Sequence, residues 1–177
     1  MNVKKLLYGA IEKLVQEKPI EKITVQERLD EAEVSRRTFY KYFPDKYALA
    51  NSMYESYVTE HIRTHFNGHN WSDVLRDIVQ YIYDNLSFYQ KLWSYRGQGS
   101  FFDFMLRFSF ENYSVIYKRN HKITELSKAQ EYDLWFITGG NVKVLEKWLD
   151  DRCEMPIDDF IMNLMDHTPR EYYEYID

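Results

Sequence analysis

The stretch that most constrains the fold is TVQERLDEAEVSRRTFYKYFPDK, residues 24–46, because it contains two helix starts separated by a very short connection. Thr24 followed three residues later by Glu27 has the form of a capping box, and Ser35 directly precedes the segment RRTFYKYF. These signals predict one helix after Thr24 and a second after Ser35, joined by a tight turn. Two short helices in this arrangement form a helix-turn-helix.

The second of these helices has an apolar face and a basic face. If Ser35 is the N-cap, Val34 and Phe39 occupy the two positions of a hydrophobic staple, and Phe43 lies four residues beyond Phe39 on the same side. The other side carries cations and phenols, namely Arg36, Arg37, Tyr40 and Lys41. Arginine can pair bidentately with guanine, and lysine or tyrosine can reach phosphates. The pattern therefore predicts binding to the major groove of duplex DNA.

The charge of the chain is unevenly distributed. The net charge is −5 over 177 residues, but residues 1–46 carry ten Lys and Arg against eight Asp and Glu, which gives +2 there and −7 for the remainder. A polyanion should therefore approach the N-terminal end. We expect a DNA-binding domain at residues 1–46 and a helical domain for ligand binding and dimerisation at residues 47–177.

Apolar residues recur at helical spacing along the whole chain, which predicts an all-α fold with a three-helix N-terminal domain. The expected helix limits carry cap residues, proline or glycine, and they fall near Pro19, at Asp45 and His65, at Ser72, at Gly97–Gly99 and Ser100, at Ser127 and Asp150, and at Pro156. One continuous stripe is expected from Val74 to Leu86. The tail, Pro169–Asp177, is expected to be partly ordered at best.

The C-terminal helices are rich in aromatic residues. Apolar cavities lined by aromatic rings and a few hydroxyls are the usual sites for small molecules. The alternative is a filled core, because large rings dominate protein cores whether or not a cavity remains. The residues expected to line a pocket are Tyr54, Tyr57, Tyr81, Phe101, Phe104, Met105, Phe108 and Trp135.

Two adjacent glycines, Gly139 and Gly140, lie inside the long helix expected to start at Ser127. Each costs about 1 kcal/mol relative to alanine, so we infer that another helix approaches the backbone closely there. Two terminal helices from each of two subunits can form a four-helix bundle and an isologous dimer interface. The expected interface residues are Leu134, Ile137, Gly140, Val144, Trp148, Phe160, Ile161 and Leu164.

The sequence does not favour a disulfide, a membrane span, a metal site or a catalytic site. Cys153 is the single cysteine, which fits a reducing, cytoplasmic location, and no uncharged stretch is long enough to span a bilayer. His61, His65 and His69 have the spacing of zinc ligands on a helix, but no carboxylate or cysteine is in register, which favours a solvated helix end. No phosphate-binding glycine loop or Gly-x-Ser-x-Gly motif is present. We therefore predict no enzymatic activity, no metal and no cofactor.

The segment ITVQERLDEAEVSRRTFYKYFPDKYAL, residues 23–49, closely resembles the DNA-binding signature of the TetR family of bacterial regulators. The segment WFITGGNVKVLEKWLDD, residues 135–151, together with the proline-started helix that follows, resembles one TetR-type C-terminal class. The resemblance implies an all-helical homodimer that binds palindromic DNA and is often released by a small molecule. We therefore expect a repressor with a small-molecule effector; some relatives with this kind of C-terminal domain respond to a partner protein instead.

The resemblance also assigns roles to individual positions. Residues that contact or position the DNA backbone in the family are matched by Thr24, Ser35, Tyr40, Tyr42 and Lys46. Base-reading or adjacent helix positions are matched by Arg36, Arg37, Thr38 and Lys41. For Lys46, in the first turn of the fourth helix, the alternative is a solvated lysine without a DNA contact.

Two residues depart from the family pattern. Glu33 replaces the glycine usual in the turn, which should cost on the order of 1 kcal/mol if the residue must be left-handed, and it adds an anion near DNA. Arg28 stands where the family has an apolar residue, usually isoleucine. It occupies the fourth helical position after Thr24, so a staple with Ile23 is lost unless the arginine stem packs there. Both departures predict either modest affinity for DNA or impaired DNA binding.

Overall fold

The computed structural model describes residues 3–176, which consist of helices and connecting turns without a strand, so the all-α prediction is confirmed. Met1 and Asn2 of the expected N-terminal domain, and Asp177 of the tail, lie outside these residues. The helices of the described part are α1 (Val3–Glu17), α2 (Val25–Ala32), α3 (Arg36–Tyr42), α4 (Lys46–His65), α5 (Trp71–Asp84), α6 (Leu86–Ser94), α7 (Phe101–His121), α8 (Lys128–Asp150) and α9 (Ile157–Asp166), with short 3-10 turns at Ile20–Lys22 and Arg170–Tyr172.

Most helix limits lie where the sequence signals place them. Capping boxes are formed by Thr24 with Glu27 and by Ser127 with Gln130. The Asp45 carboxylate accepts a hydrogen bond of 2.8 Å from the Ala48 backbone N–H at the start of α4. These caps satisfy backbone donors that have no partner within the helix.

Two limits differ from expectation. α5 begins at Trp71, so Ser72 lies inside the helix and does not cap it. The expected stripe from Val74 to Leu86 is divided at Asn85, whose backbone leaves the helical region at φ −112° and ψ 29°. The Asn85 carbonyl accepts hydrogen bonds from the N–H groups of Phe88 and Tyr89 and thereby starts α6.

The chain packs into two compact units. The first unit comprises Met1–Tyr57 and Asn85–Phe104. α1 turns a fully buried face, including Leu7 and Ile11, into the core that it shares with α2, and it also packs against α6. This unit, which is defined by packing, includes the start of α4 and all of α6. The expected boundary between a DNA-binding domain and a ligand-binding domain after residue 46 is a functional division and stays a prediction.

The second unit comprises Val58–Asp84 and Met105–Asp177. α5 packs against α9, and the Arg76 guanidinium donates a hydrogen bond of 2.8 Å to the Asp158 carboxylate between them. On the other side of α9, the rings of Trp148 and Phe160 stack at 4.6 Å and join α8 to α9. The core of this unit is therefore built between its own helices.

The tail is ordered through Ile176, so the expectation of partial order is wrong for the described residues. The Asn120 amide donates hydrogen bonds to the carbonyls of Glu171 and Glu174, at 2.8 and 2.7 Å, and its oxygen accepts one from the Ile176 N–H. Tyr172 is buried with its ring stacked on Tyr117 at 4.8 Å. The tail is ordered because its tyrosines complete the core of the second unit.

The histidine spacing is not accompanied by a metal-binding cluster in the described chain. His61 bonds to Asp77 at 3.0 Å and its ring stacks on His65 at 4.1 Å. Across residues 3–176, no group of three or more His, Cys, Asp and Glu side chains is arranged to hold a metal ion. Within the same residues, no helix has the length and apolar character needed to cross a membrane.

Candidate nucleic-acid interface

The α2–turn–α3 segment is held together mainly by local hydrogen bonds. The Thr24 hydroxyl accepts a bond of 3.3 Å from the Glu27 N–H, and the Glu27 carboxylate accepts one of 2.8 Å from the Thr24 N–H. Hydrogen bonds from Lys18 and Thr24 lower the pKa of Glu27 to about 2, so this cap is ionised at neutral pH. The Ser35 oxygen accepts a bond of 3.2 Å from the Thr38 N–H and starts α3. The predicted DNA-binding residues Thr24, Ser35 and Thr38 therefore also form the helix caps.

α3 separates an apolar face from a polar face. Phe39 is 0% exposed and Phe43 is also buried. The Tyr40 ring meets Phe39 edge-on at 5.2 Å, which orients it while it remains exposed. The exposed residues of α3 are Arg36, Arg37, Tyr40, Lys41 and Tyr42.

The position of the two arginines in α3 is unfavourable for the helix by itself. Arg36 and Arg37 lie in the first turn, where the helix dipole is positive, and this turn contains no acidic residue. A cation there costs about 0.3–1 kcal/mol, with the sign opposite to that of a well-placed anion. The two arginines therefore do not stabilise the helix through its dipole.

The turn between α2 and α3 contains a left-handed residue, as expected for the position that glycine usually occupies. Glu33 has φ 52° and ψ 40°. Its N–H bonds to the Asp30 carbonyl at 3.3 Å, and the Val34 N–H bonds to the Leu29 carbonyl at 3.1 Å. These bonds close the end of α2 and require the left-handed conformation, which a β-carbon disfavours.

We predict that Glu33→Gly raises the free energy of unfolding by up to about 1 kcal/mol, because it removes the strain of a left-handed glutamate. Glu33→Gln is the matched control, since it removes the charge and keeps the strain, and it should leave stability unchanged. Both variants should bind DNA more tightly at low salt because an anion is lost. Urea denaturation and DNA titration measure the two effects. If the glycine and glutamine variants are equally stable, the left-handed conformation at position 33 does not strain the native protein.

Lys46 is half-buried and hydrogen-bonded to the protein backbone. Its ammonium donates hydrogen bonds of 2.7 Å to the Glu21 carbonyl and 2.8 Å to the Ile23 carbonyl. Burial lowers the pKa of Lys46, and repulsion from Arg28 lowers it further. An ammonium has three donors, and the two carbonyls use two of them. The ammonium also lies 5.2 Å from the centre of the Tyr47 ring. Lys46 thus ties the start of α4 to the segment that precedes α2.

Arg28 is buried, with only 2% of its surface exposed. The guanidinium lies over the Phe39 ring at 5.0 Å, and Nη1 makes a long contact of 3.5 Å with the Ile23 carbonyl. The arginine stem therefore packs where a staple residue would, and the apolar contact with Ile23 is replaced by a weak polar one.

The residues predicted to line a ligand pocket are divided between the two units. In the first unit, Tyr54 contacts Phe101 edge-on at 5.7 Å and Phe104 at 6.3 Å, and these two rings stack at 5.8 Å. Tyr57 belongs to the same unit. In the second unit, Met105 is buried, and Trp135 stacks on Phe110 at 4.5 Å while remaining partly exposed. Tyr81 and Phe108 are half-buried there. The pocket as a whole stays a prediction.

A groove of about 390 Å³ is present elsewhere in the second unit. It is lined by α5 and by the segment that leads into α9, and its lining includes Arg76, Tyr83, Cys153 and Met155. Burial raises the pKa of the Cys153 thiol to about 11, so this cysteine is protonated at neutral pH. The residues predicted to line the pocket are not among those that line this groove.

The residues predicted for the dimer interface fall into two groups. Leu134, Trp148, Phe160 and Ile161 are buried inside the subunit. Ile137 and Leu164 are half-buried, whereas Gly140 and Val144 are exposed. The first four side chains are occupied by the core of the second unit and are not exposed for contact with another subunit. The interface itself stays a prediction.

α8 has a second, outward apolar face that the sequence pattern did not separate from the core face. Tyr132 is 72% exposed and Phe136 is 85% exposed. With Gly140 and Val144 they follow a spacing of four residues, which places all four on one side of the helix. We call Tyr132, Phe136, Gly140 and Val144 the outer stripe. The spacing of four residues is visible in the sequence. It does not by itself reveal an outward face, because the apolar residues that face the core recur with a similar period.

The two glycines of α8 have open space around them. A β-carbon built on Gly139 or Gly140 meets nothing within 4 Å in the described chain. The expected close approach of another helix is therefore not made within the subunit.

Comparison with known proteins identifies the class and then the family. Residues 69–170 match a family described as "Transcriptional regulator C-terminal region", and residues 7–53 match "Bacterial regulatory proteins, tetR family". The all-helical fold with an N-terminal helix-turn-helix is that of a transcriptional regulator, not of an enzyme. The chain belongs to the TetR family.

Several relatives are similar to this chain. The HTH-type dhaKLM operon transcriptional activator DhaS of Lactococcus lactis subsp. lactis is 28% identical over 88 residues, which are 50% of this chain and 47% of that protein. The match therefore spans about half the length of this curated relative.

Solved structures share the fold. The dihydroxyacetone kinase operon activator DhaS superposes with a TM-score of 0.64 at 19% identity, covering 93% of both chains. A TetR transcriptional regulator from Streptococcus agalactiae gives 0.61 at 24% identity, covering 92% of this chain and 93% of that one.

Proposed function

We propose that this TetR-family regulator acts as a homodimer that binds a palindromic operator in duplex DNA, with α3 of each subunit in the major groove. The main support for the proposal is that α3 has one buried face and one exposed face. Phe39 and Phe43 anchor the helix in the core, while its arginines, lysine and tyrosines are exposed. Arginine and lysine reach base edges and phosphates from such a helix. The proposed contact residues are Thr24, Ser35, Arg36, Arg37, Thr38, Tyr40, Lys41, Tyr42 and Lys46.

The proposed dimer is formed by α8 and α9 of two copies of the chain. The outer stripe supports it, since large exposed rings next to unobstructed glycines suit the close crossing of two helices. In a dimer with a two-fold axis, the outer stripe of one subunit packs against the outer stripe of the other. On B-DNA the two recognition helices must lie about 34–36 Å apart, or a multiple of that distance.

The second unit is proposed to sense an effector and to control that distance, so that a small molecule releases a repressor from DNA. A ligand shifts the equilibrium only if it binds one state of the dimer better than the other.

A second candidate is a co-regulator that responds to a partner protein. The close packing of Tyr54, Phe101 and Phe104 favours it, because rings that fill a core leave less room for a ligand. The relative DhaS is named an activator, so activation is the alternative to repression.

The test of the proposed function is titration of the full-length protein with the DNA that flanks its own gene, across a salt series. We expect the logarithm of the binding constant to fall with the logarithm of salt concentration with a slope of several negative units. Native mass spectrometry of the same sample reports the dimer and any ligand carried through purification. A folded protein with no salt-dependent DNA binding would refute the proposal.

A further inference from the structure

The guanidinium of Arg28 is a buried charge that forms no salt bridge in the described residues. Its Nε atom is buried without a hydrogen-bond partner, and Nη1 reaches only the Ile23 carbonyl, at 3.5 Å. No ion pair joins Arg28 to a carboxylate among residues 3–176. Removing such a charge from water is costly unless it is paired and hydrogen-bonded. Burial accordingly lowers the pKa of Arg28 from its usual value.

The two carboxylates that act electrostatically on Arg28, those of Asp45 and Glu27, have their hydrogen bonds with other groups. The Glu27 carboxylate receives Lys18 on one oxygen and the Thr24 N–H and hydroxyl on the other. The Asp45 carboxylate caps α4 through the Ala48 N–H. Each of these carboxylates has a structural partner of its own, so neither is held in place as the counter-ion of Arg28.

A second cation converges on the same point. The Ile23 carbonyl accepts both Nη1 of Arg28 and the Lys46 ammonium, the latter at 2.8 Å. Two groups that contact one oxygen atom are close neighbours, and their repulsion contributes to the lowered pKa of Lys46. A neutral carbonyl dipole cannot balance two positive charges. Arg28 and Lys46 therefore lie side by side between α2 and the start of α4. Glu21, Glu27 and Asp45 act electrostatically on one or both of these cations, but none of the three forms a salt bridge with either cation in the described residues.

Arg28 is also coupled to α3. Its guanidinium covers the Phe39 ring, which anchors that helix, and the Tyr40 ring packs edge-on against the same Phe39 ring. The buried charge thus lies directly behind the helix that carries Arg36 and Arg37.

We propose that Arg28 is a positioning residue for DNA: its charge, which no carboxylate meets in a salt bridge, acts together with that of Lys46 on a backbone phosphate of duplex DNA, which Lys46 contacts and Arg28 does not. The inference rests on the proposed function and deepens it. Its consequence is that Arg28 lowers the stability of the free protein and raises its affinity for DNA. A residue that served only packing would affect both properties in the same direction.

The test compares Arg28→Met with the wild-type protein by urea denaturation and by DNA titration at several salt concentrations. Methionine retains an unbranched apolar stem and removes the charge, so the variant should be at least as stable as the wild type. Binding should be about tenfold weaker at low salt, because each subunit loses a charge that acts across a region of reduced dielectric. The difference should shrink to about twofold at high salt, because the interaction is screened.

Two further variants are controls. Arg28→Lys keeps the charge and should stay within about threefold of wild-type affinity. Lys13→Met removes one charge from the same unit, but Lys13 is already paired with Glu31 at 2.8 Å, so binding should change by less than about twofold.

The measurements distinguish a failure of the proposed role of Arg28 from a failure of the proposed DNA binding. If the wild type and Lys13→Met bind with a steep salt slope and Arg28→Met binds equally well, only the inference fails. A loss of affinity that is the same at every salt concentration, or a loss of stability in Arg28→Met, would assign Arg28 to packing and overturn it. If the folded wild type shows no salt-dependent binding, the proposed function fails as well.

Discussion

Replacing both Arg36 and Arg37 with alanine should weaken operator binding by about a thousandfold while leaving the fold intact. Each base or phosphate contact contributes roughly 1–3 kcal/mol, and the proposed dimer loses four arginines. Both side chains are exposed and lie at the unfavourable end of the α3 dipole. The free energy of unfolding should therefore remain the same or rise slightly. DNA titration and urea denaturation measure the two quantities.

The salt dependence of the single variants identifies the role of each arginine. Removal of a phosphate contact should make the log–log salt slope shallower by about one or two in the dimer and should weaken binding to every DNA sequence alike. Removal of a base contact should reduce the preference for the operator over unrelated DNA and change the slope less. Arg36→Ala and Arg37→Ala can thus be assigned separately.

The matched control for these variants is Arg107→Ala, which removes an exposed arginine from α7, outside the helix-turn-helix. It should keep wild-type affinity. Loss of affinity in Arg107→Ala comparable to that of the α3 variants would point to a general effect of charge. Unchanged affinity in the double α3 variant would contradict the proposed interface.

Replacing Phe136 with glutamate should convert the proposed dimer into a monomer. Phe136 is 85% exposed in the subunit, so the substitution removes little from its core. In the proposed dimer, the two-fold axis places one Phe136 ring from each subunit in the interface, so the substitution removes two rings. A central aromatic residue typically contributes about 2 kcal/mol or more to an interface. Analytical ultracentrifugation should show a dissociation constant raised by about three orders of magnitude. Operator binding should fall with it, because two half-sites are no longer read by one molecule.

Val115 and Gly140 supply the controls for the dimer. Val115 is 67% exposed on α7, outside the outer stripe, and Val115→Glu should leave the dimer intact. Gly140→Ala should stabilise the isolated subunit by about 1 kcal/mol through helix propensity, since an added β-carbon meets nothing within the described chain. The same methyl group should weaken the dimer if another helix lies against the glycine. A Phe136→Glu protein that remains dimeric would place the interface elsewhere.

The predictions that the structure confirms concern interactions between residues close in sequence. The caps at Thr24, Ser35 and Ser127 and the left-handed turn at Glu33 were all readable from the sequence. Each depends on hydrogen bonds between residues three to five positions apart, and such bonds follow from residue type and spacing. The DNA-binding residues remain proposals, but their arrangement on one exposed face follows from the same local rules.

Apart from the two helix limits at Trp71 and Asn85, the errors concern interactions between distant residues. The tail was expected to lack full order, yet Asn120, about fifty positions earlier, binds its carbonyls. On α8 the apolar residues were treated as one broad stripe, although Leu134 faces the core and Phe136 faces outward. Residues on opposite sides of a helix share the same period, so periodicity cannot tell which side meets a neighbouring helix.

By itself, the sequence determined the all-helical class, the helix-turn-helix and the family resemblance, because caps, turns and helical periodicity are set by neighbouring residues. Only the tertiary structure decided that Arg28 is buried over Phe39, that Lys46 joins it at the Ile23 carbonyl, and that the glycines of α8 are unobstructed. These features arise when segments distant along the chain pack together, and the burial of a charge or the exposure of a ring is a property of that packing.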